Sequence, residues 1–182
     1  SGVSGSVLKN PEKKVKEKNE IVSVMEGKRN TSISNIYSSK TLPKTIYNYT
    51  RDNKLSELQE IVNQYQGHPL KEYTDNAGNT AIIVAAIKNY GLIMDECLKL
   101  KMNINATNRY GRSALLCAAE KQYSHLVLKL LQANADIHIK DKYGYDAIKL
   151  ATISSNNSNK SNDTENDCLE ILQQYVKDPT SI

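Results

Sequence analysis

A chain of 182 residues, 39% hydrophobic and 24% charged, suits one medium domain or one short repeat array with a tail. No apolar run approaches the roughly 18 residues of a membrane helix, and the start "SGVSGSV" has no signal-peptide order and reads as a linker. The net charge of +4 is uneven: residues 1–44 hold nine Lys or Arg against four Glu, whereas the rest hold 15 basic and 16 acidic side chains.

In chain order, residues 1–41 form a basic segment expected to be flexible. Within it "PEKKVKEKNE" is too charged to bury a core by itself. The short apolar run "EIVSVM" (20–25) is a candidate docking stretch, on the folded body or on another chain, set against a plain linker. "NTSISNIYSS" offers hydroxyls for phosphorylation and no stronger signal than that. From residue 42, "TIYNYTRDNKLSELQEIVNQY" places Ile46, Leu58, Ile61 and Val62 as the core of a degenerate helical pair, followed by the link "QGHPLKEY".

The next block, "DNAGNTAIIVAA", reads equally well as a turn feeding a buried strand or a turn opening a buried helix. A period decides between them. Gly78, Gly111 and Gly144 lie 33 residues apart, and "DNAGNTAIIVAA", "NRYGRSALLCAA" and "DKYGYDAIKLAT" align position by position. Asp75, Asn108 and Asp141 open turns, and the glycines supply the positive φ such turns demand. Thr80, Ser113 and Asp146 are N-cap types before an apolar block. Inner helices are therefore predicted at about 81–88 and 114–121, with Ala85-Ala86 and Ala118-Ala119 permitting close helix approach. Leu126, Val127, Leu130 and Leu131 then form the one-sided stripe of a second helix.

The turn, the apolar block and two helices in 33 residues resemble the ankyrin repeat family, most specifically over Asn108–Lys140 with "GRSALLCAA" and "LVLKLLQANADIHI". The resemblance implies an all-α ankyrin-repeat solenoid with β-hairpin-like turns over about residues 42–177. Its repeats fall at about 42–74, 75–107, 108–140 and 141–177. A polar insertion occupies 154–166, "CLEILQQYV" (168–176) is the closing helix, and 178–182 is a tail. Three departures stand out. The family's Pro is Ala81, Ala114 and Ala147, its His is Ile83, Leu116 and Lys149, and its second-helix glycine is Lys101 and Asn134.

The chemistry-bearing residue types point to binding. Cys97, Cys117 and Cys168 are odd in number, far apart and set in apolar stretches, so buried free thiols in a reducing compartment are expected. His68, His125 and His138 have no metal-ligand spacing, and no phosphate loop, nucleophile elbow or paired-carboxylate pattern appears. The expectation is a non-enzyme without cofactor, metal, membrane span or small-molecule substrate, placed inside the cell in nucleus or cytoplasm. The resemblance implies a protein-binding module. Its partner-binding candidates are Arg109, Tyr110, Arg112, Lys142, Tyr143 and Tyr145 at the hairpin tips, with Lys88, Tyr90, Glu120, Lys121 and Tyr123 on the inner-helix side. Arg and Tyr are residue types that anchor interfaces, so a protein or peptide with acidic and apolar anchors is the expected partner. Nucleic acid held by the basic N-terminal segment is the alternative, weakened by interleaved acids and the lack of an aromatic platform. Self-assembly through residues 20–25 is a third reading.

Overall fold

The structure, a computed structural model, describes residues 41–65, 72–157 and 168–180. The expected docking stretch 20–25, His68, residues 158–166 of the polar insertion and the last two residues lie outside these. Eight helices and no strands occur among the described residues. They fall into four antiparallel pairs: α1 (Leu42–Arg51) with α2 (Leu55–Gln64), α3 (Ala81–Ile87) with α4 (Gly91–Lys99), α5 (Ala114–Glu120) with α6 (Ser124–Gln132), and α7 (Ala147–Asn157) with α8 (Cys168–Lys177). First helices stack as α1–α3–α5–α7, and second helices pack α2 on α4 and α6 on α8. This is a two-layer helical solenoid.

The run Ile82-Ile83-Val84 favours a strand by intrinsic propensity, because β-branched side chains lose rotamer freedom in a helix. Burial reverses the preference. Every residue of 81–86 is buried, as is every residue of 114–119, because α3 and α5 are each sandwiched between two other first helices. Ala85, Ala86, Ala118 and Ala119 are fully buried where helix meets helix, and larger side chains there would overpack the contact. The stripe Leu126, Val127, Leu130 and Leu131 is buried to within 1%, each side chain contributing roughly 1.5–3 kcal/mol by burial.

Capping is uneven. The Ser113 hydroxyl accepts from the Leu116 amide at 3.4 Å, and Asp146 Oδ1 accepts from the Lys149 amide at 2.9 Å. Thr80, expected to cap α3, makes no such bond, and its Oγ1 is buried without a hydrogen-bond partner. Helix α7 also runs to Asn157, four residues into the stretch expected to be an insertion. Ser154 and Ser155 remain half-buried, with the Ser155 hydroxyl 3.5 Å from Gln122 Oε1.

The ends of α4 and α6 follow one scheme. After α4, Lys101 takes a left-handed conformation (φ 53°), its amide donating to Leu98 O and that of Met102 to Cys97 O; Asn134 repeats this after α6 (φ 62°). Left-handed backbone costs a side-chain-bearing residue about 1–2 kcal/mol, less for Asn. Lys101 is exposed and its side chain is in none of the ion pairs among the described residues. Lys101→Gly is expected to raise thermal stability by about 0.5–1 kcal/mol, after the entropy glycine adds to the unfolded chain is set against the relief. Thermal unfolding followed by circular dichroism checks this; an unchanged or lowered midpoint contradicts it.

Candidate functional site

The three turns share one architecture, dictated by the Asx residue that opens each. Asp75 Oδ1 accepts from the amides of Ala77 (2.9 Å) and Asn79 (2.8 Å). Asn108 Oδ1 does the same for Tyr110 and Arg112, and Asp141 Oδ1 for Tyr143 and Tyr145. The glycine amide then closes on the Asx carbonyl at 2.9 Å in all three. Successive turns are joined along the backbone: the Arg109 amide donates to Ala77 O and the Lys142 amide to Tyr110 O, both at 2.9 Å.

The second atom of each Asx side chain reaches the preceding pair. Tyr47 OH donates to Asp75 Oδ2 (2.8 Å), Asn108 Nδ2 donates to Asn79 Oδ1 (2.9 Å), and Arg112 Nε donates to Asp141 Oδ2 (3.4 Å). Burial opposes ionisation of Asp75, yet the hydrogen bonds from Asn79, Tyr47 and Ala77 outweigh it and hold its carboxyl below the ordinary range. Burial first, and the bond to Asp75 second, push the Tyr47 phenol up to about 12.

Between the turns and the first helices lies a groove of about 230 Å³, lined by Asn79, Ile87, Asn108, Tyr110, Arg112, Cys117, Glu120 and Lys121. Of the sequence-derived candidates, it brings together Tyr110, Arg112, Glu120 and Lys121. Tyr110 is 55% exposed, and Lys121 is exposed with no ion-pair partner among the described residues. Arg112 is engaged on both sides. Its Nη1 lies 2.7 Å from Glu120 Oε2 and its Nε faces the buried Asp141, so its guanidinium is a wall of the groove and a link between turns. Burial works against its charge, but the Glu120 bond and the charges of Glu120 and Asp141 raise its pKa further above the usual value.

The remaining candidates lie outside the groove lining. Tyr143 (72% exposed) and Tyr145 (38%) form a tilted pair on the third turn, ring centroids 6.4 Å apart, beside the exposed Lys142. Arg109 is exposed on the second tip. Lys88 Nζ sits 5.9 Å over the Tyr90 ring; Tyr90 and Tyr123 are both half-buried, at the starts of α4 and α6.

Cys117 and Asn108, read from the sequence as a buried thiol and a turn opener, also line the groove, a place the sequence reading did not assign them. A signal for Cys117 exists in the repeat. Val84, Cys117 and Leu150 share one position and are 6%, 4% and 4% exposed, whereas most buried neighbours on their helices are at 0%. That row is where the first helices show a little surface beneath the turns. All three cysteines are free and buried, as expected, and burial pushes the Cys97 and Cys117 thiols up to about 12, which leaves them inert. His125 and His138 are exposed, and no metal-binding cluster exists among the described residues. Nor is any described helix long and apolar enough to cross a membrane.

Paired helices at a 33-residue period, joined by hydrogen-bonded turns, define a helical repeat protein. The chain belongs to the ankyrin repeat family: the family model for ankyrin repeats in three copies matches residues 51–141, half of the sequence. Most of α1 and the pair α7–α8 lie beyond the matched residues. No curated protein matches the chain. Repeats of this family are generally protein–protein interaction modules and typically not enzymes.

Proposed function

We propose that this chain is an interaction scaffold that binds a protein or peptide partner on the concave face made by its turn tips and first helices. The folded part is taken to span residues 42–177 as four repeats. The observation that carries the reading is the groove under the second turn, since four of the eleven candidate positions line it together with apolar Ile87 and Cys117. Exposed Tyr110 in its lining, with exposed Arg109 on the same turn and exposed Tyr143 on the next, presents large amphipathic rings and a rigid donor fork at low entropic cost. Lys88, Arg109, Lys121 and Lys142 have no carboxylate within ion-pair distance among the described residues, which favours a partner with acidic as well as apolar anchors. Three free buried thiols support an intracellular setting, nuclear or cytoplasmic.

Affinity capture with mass spectrometry tests this when repeated with Arg109, Tyr110 and Tyr143 all replaced by Ala. The specific partner is expected to disappear from the variant's capture while the melting temperature stays unchanged. Retention of the same partner by the variant overturns the assignment of the tips.

A further inference from the structure

Resting on that reading, we infer that the groove under the second turn is a subsite for one large apolar side chain of an acidic peptide segment. Volume sets the size of the occupant. An apolar cavity of about 150 Å³ takes a benzene-sized ring, so a groove of about 230 Å³ takes a Leu, Met or Phe side chain with part of its backbone. The lining sets the chemistry. Ile87 at the end of α3 and Cys117 in α5 are apolar, and Tyr110 adds the face or edge of a ring.

The Arg112 and Glu120 charges inside the groove are already paired within the protein. Arg112 is bonded to Glu120 at 2.7 Å on one side and to the buried Asp141 at 3.4 Å on the other, and the surplus negative charge of this cluster is outweighed by Lys121, Arg109 and Lys142 around it. A ligand therefore need not neutralise this pair, and an apolar group can lie against it. What is left over is positive: Lys121 in the lining and Arg109 next to Tyr110 have no ion-pair partner among the described residues. Carboxylates flanking the apolar side chain complement that rim. The chain's own N-terminal stretch is basic overall, with nine cations against four acids over residues 1–44. Its run 20–26, however, is apolar between two acids, Glu20 and Glu26, so a peptide of residues 18–28 is titrated alongside the selected one. Tighter binding by it than by the selected consensus overturns the assignment to a separate partner.

Selection of random peptides of about 12 residues, displayed on phage against the full chain, tests the assignment. The expected consensus has Leu, Met or Phe beside Asp or Glu. A fluorescein-labelled peptide of that consensus is then titrated by anisotropy. Ile87→Glu and Lys121→Glu, both at exposed positions, are each expected to weaken it about tenfold or more with an unchanged melting temperature. Exchanging the peptide's acids for Lys is expected to abolish binding. The inference is overturned by failure to enrich, by a basic or wholly polar consensus, or by tighter competition from a thymidine oligonucleotide. It is also overturned by light scattering that shows a dimer for the unaltered chain and a monomer for Ile87→Glu. Peptides that ignore both groove variants but are lost with Ala at Arg109, Tyr110 and Tyr143 remove the subsite and leave the scaffold reading standing.

Discussion

Asp141→Asn is expected to cost about 2 kcal/mol of stability, and a second substitution, Arg112→Asn, is expected to return part of it. Asp141 is 5% exposed and carries three bonds at once: Oδ1 accepts from the Tyr143 and Tyr145 amides, and Oδ2 accepts from Arg112 Nε. The side chain of Asn keeps the first two, because Asn108 makes the same pair of bonds one period earlier. It turns the third into a donor facing a donor. An unpaired buried partner of a charged group is worth more than the mean hydrogen bond, about 1–3 kcal/mol. In the double variant both members of the pair carry a carboxamide, the arrangement that Asn79 and Asn108 hold at 2.9 Å between the first two turns. The Arg112–Glu120 ion pair is lost in that step, but both side chains are partly exposed (24% and 34%), so this loss is small. Chemical denaturation of the wild type, both single variants and the double variant closes a double-mutant cycle. A coupling energy of zero would show that the Asp141–Arg112 contact does not organise the turns.

The same contact marks where sequence reading stops. The period is legible because a turn needs glycine at one place and Asx three residues before it, and these requirements recur every 33 residues at 78, 111 and 144. The helical state of Ile82-Ile83-Val84 is legible only through that register, since local propensity points the other way and tertiary burial decides it. Arg112 is legible as a tip residue but not as a structural one. Its partner lies 29 residues on, in the next turn, and only the equivalence of 79 with 112 and of 108 with 141 reveals that such residues meet. Tyr47 cannot be found that way at all. The first pair has no turn of this kind among the described residues, so the bond to Asp75 comes from within helix α1, out of phase with the repeat. Thr80 shows the converse: the right residue type at the capping position, with a side chain that makes no cap. The candidate site is half legible for a related reason. Exposed tips follow from the turn, whereas a groove depends on how far two adjacent units stand apart at the row of Val84, Cys117 and Leu150.

The turn glycines supply the sharpest test of that stacking, because their backbones are alike and their surroundings are not. Gly78→Ala is expected to destabilise by about 2–4 kcal/mol, but Gly144→Ala by only about 1 kcal/mol. Both glycines have φ of +79°, so both variants meet the left-handed penalty of about 1–2 kcal/mol, and both recover some of it from a stiffer unfolded chain. The difference is the neighbour. A Cβ on Gly78 would stand 2.9 Å from the Arg109 amide nitrogen, the donor that binds Ala77 O and joins the first turn to the second. Backbone cannot swing aside as a long side chain can, so that bond lengthens or the turns part. A Cβ on Gly144 would meet nothing within 4 Å. Gly111, with a Cβ 3.1 Å from the Lys142 nitrogen, should fall between the two. Thermal and urea unfolding of the three Ala variants gives the order directly. Equal losses at all three positions would mean that only the turn conformation matters and the backbone ladder between turns bears no strain. A graded loss would place the energy in the ladder, where Ala77 O and Tyr110 O each hold the next turn at 2.9 Å and so fix the wall on which the groove depends.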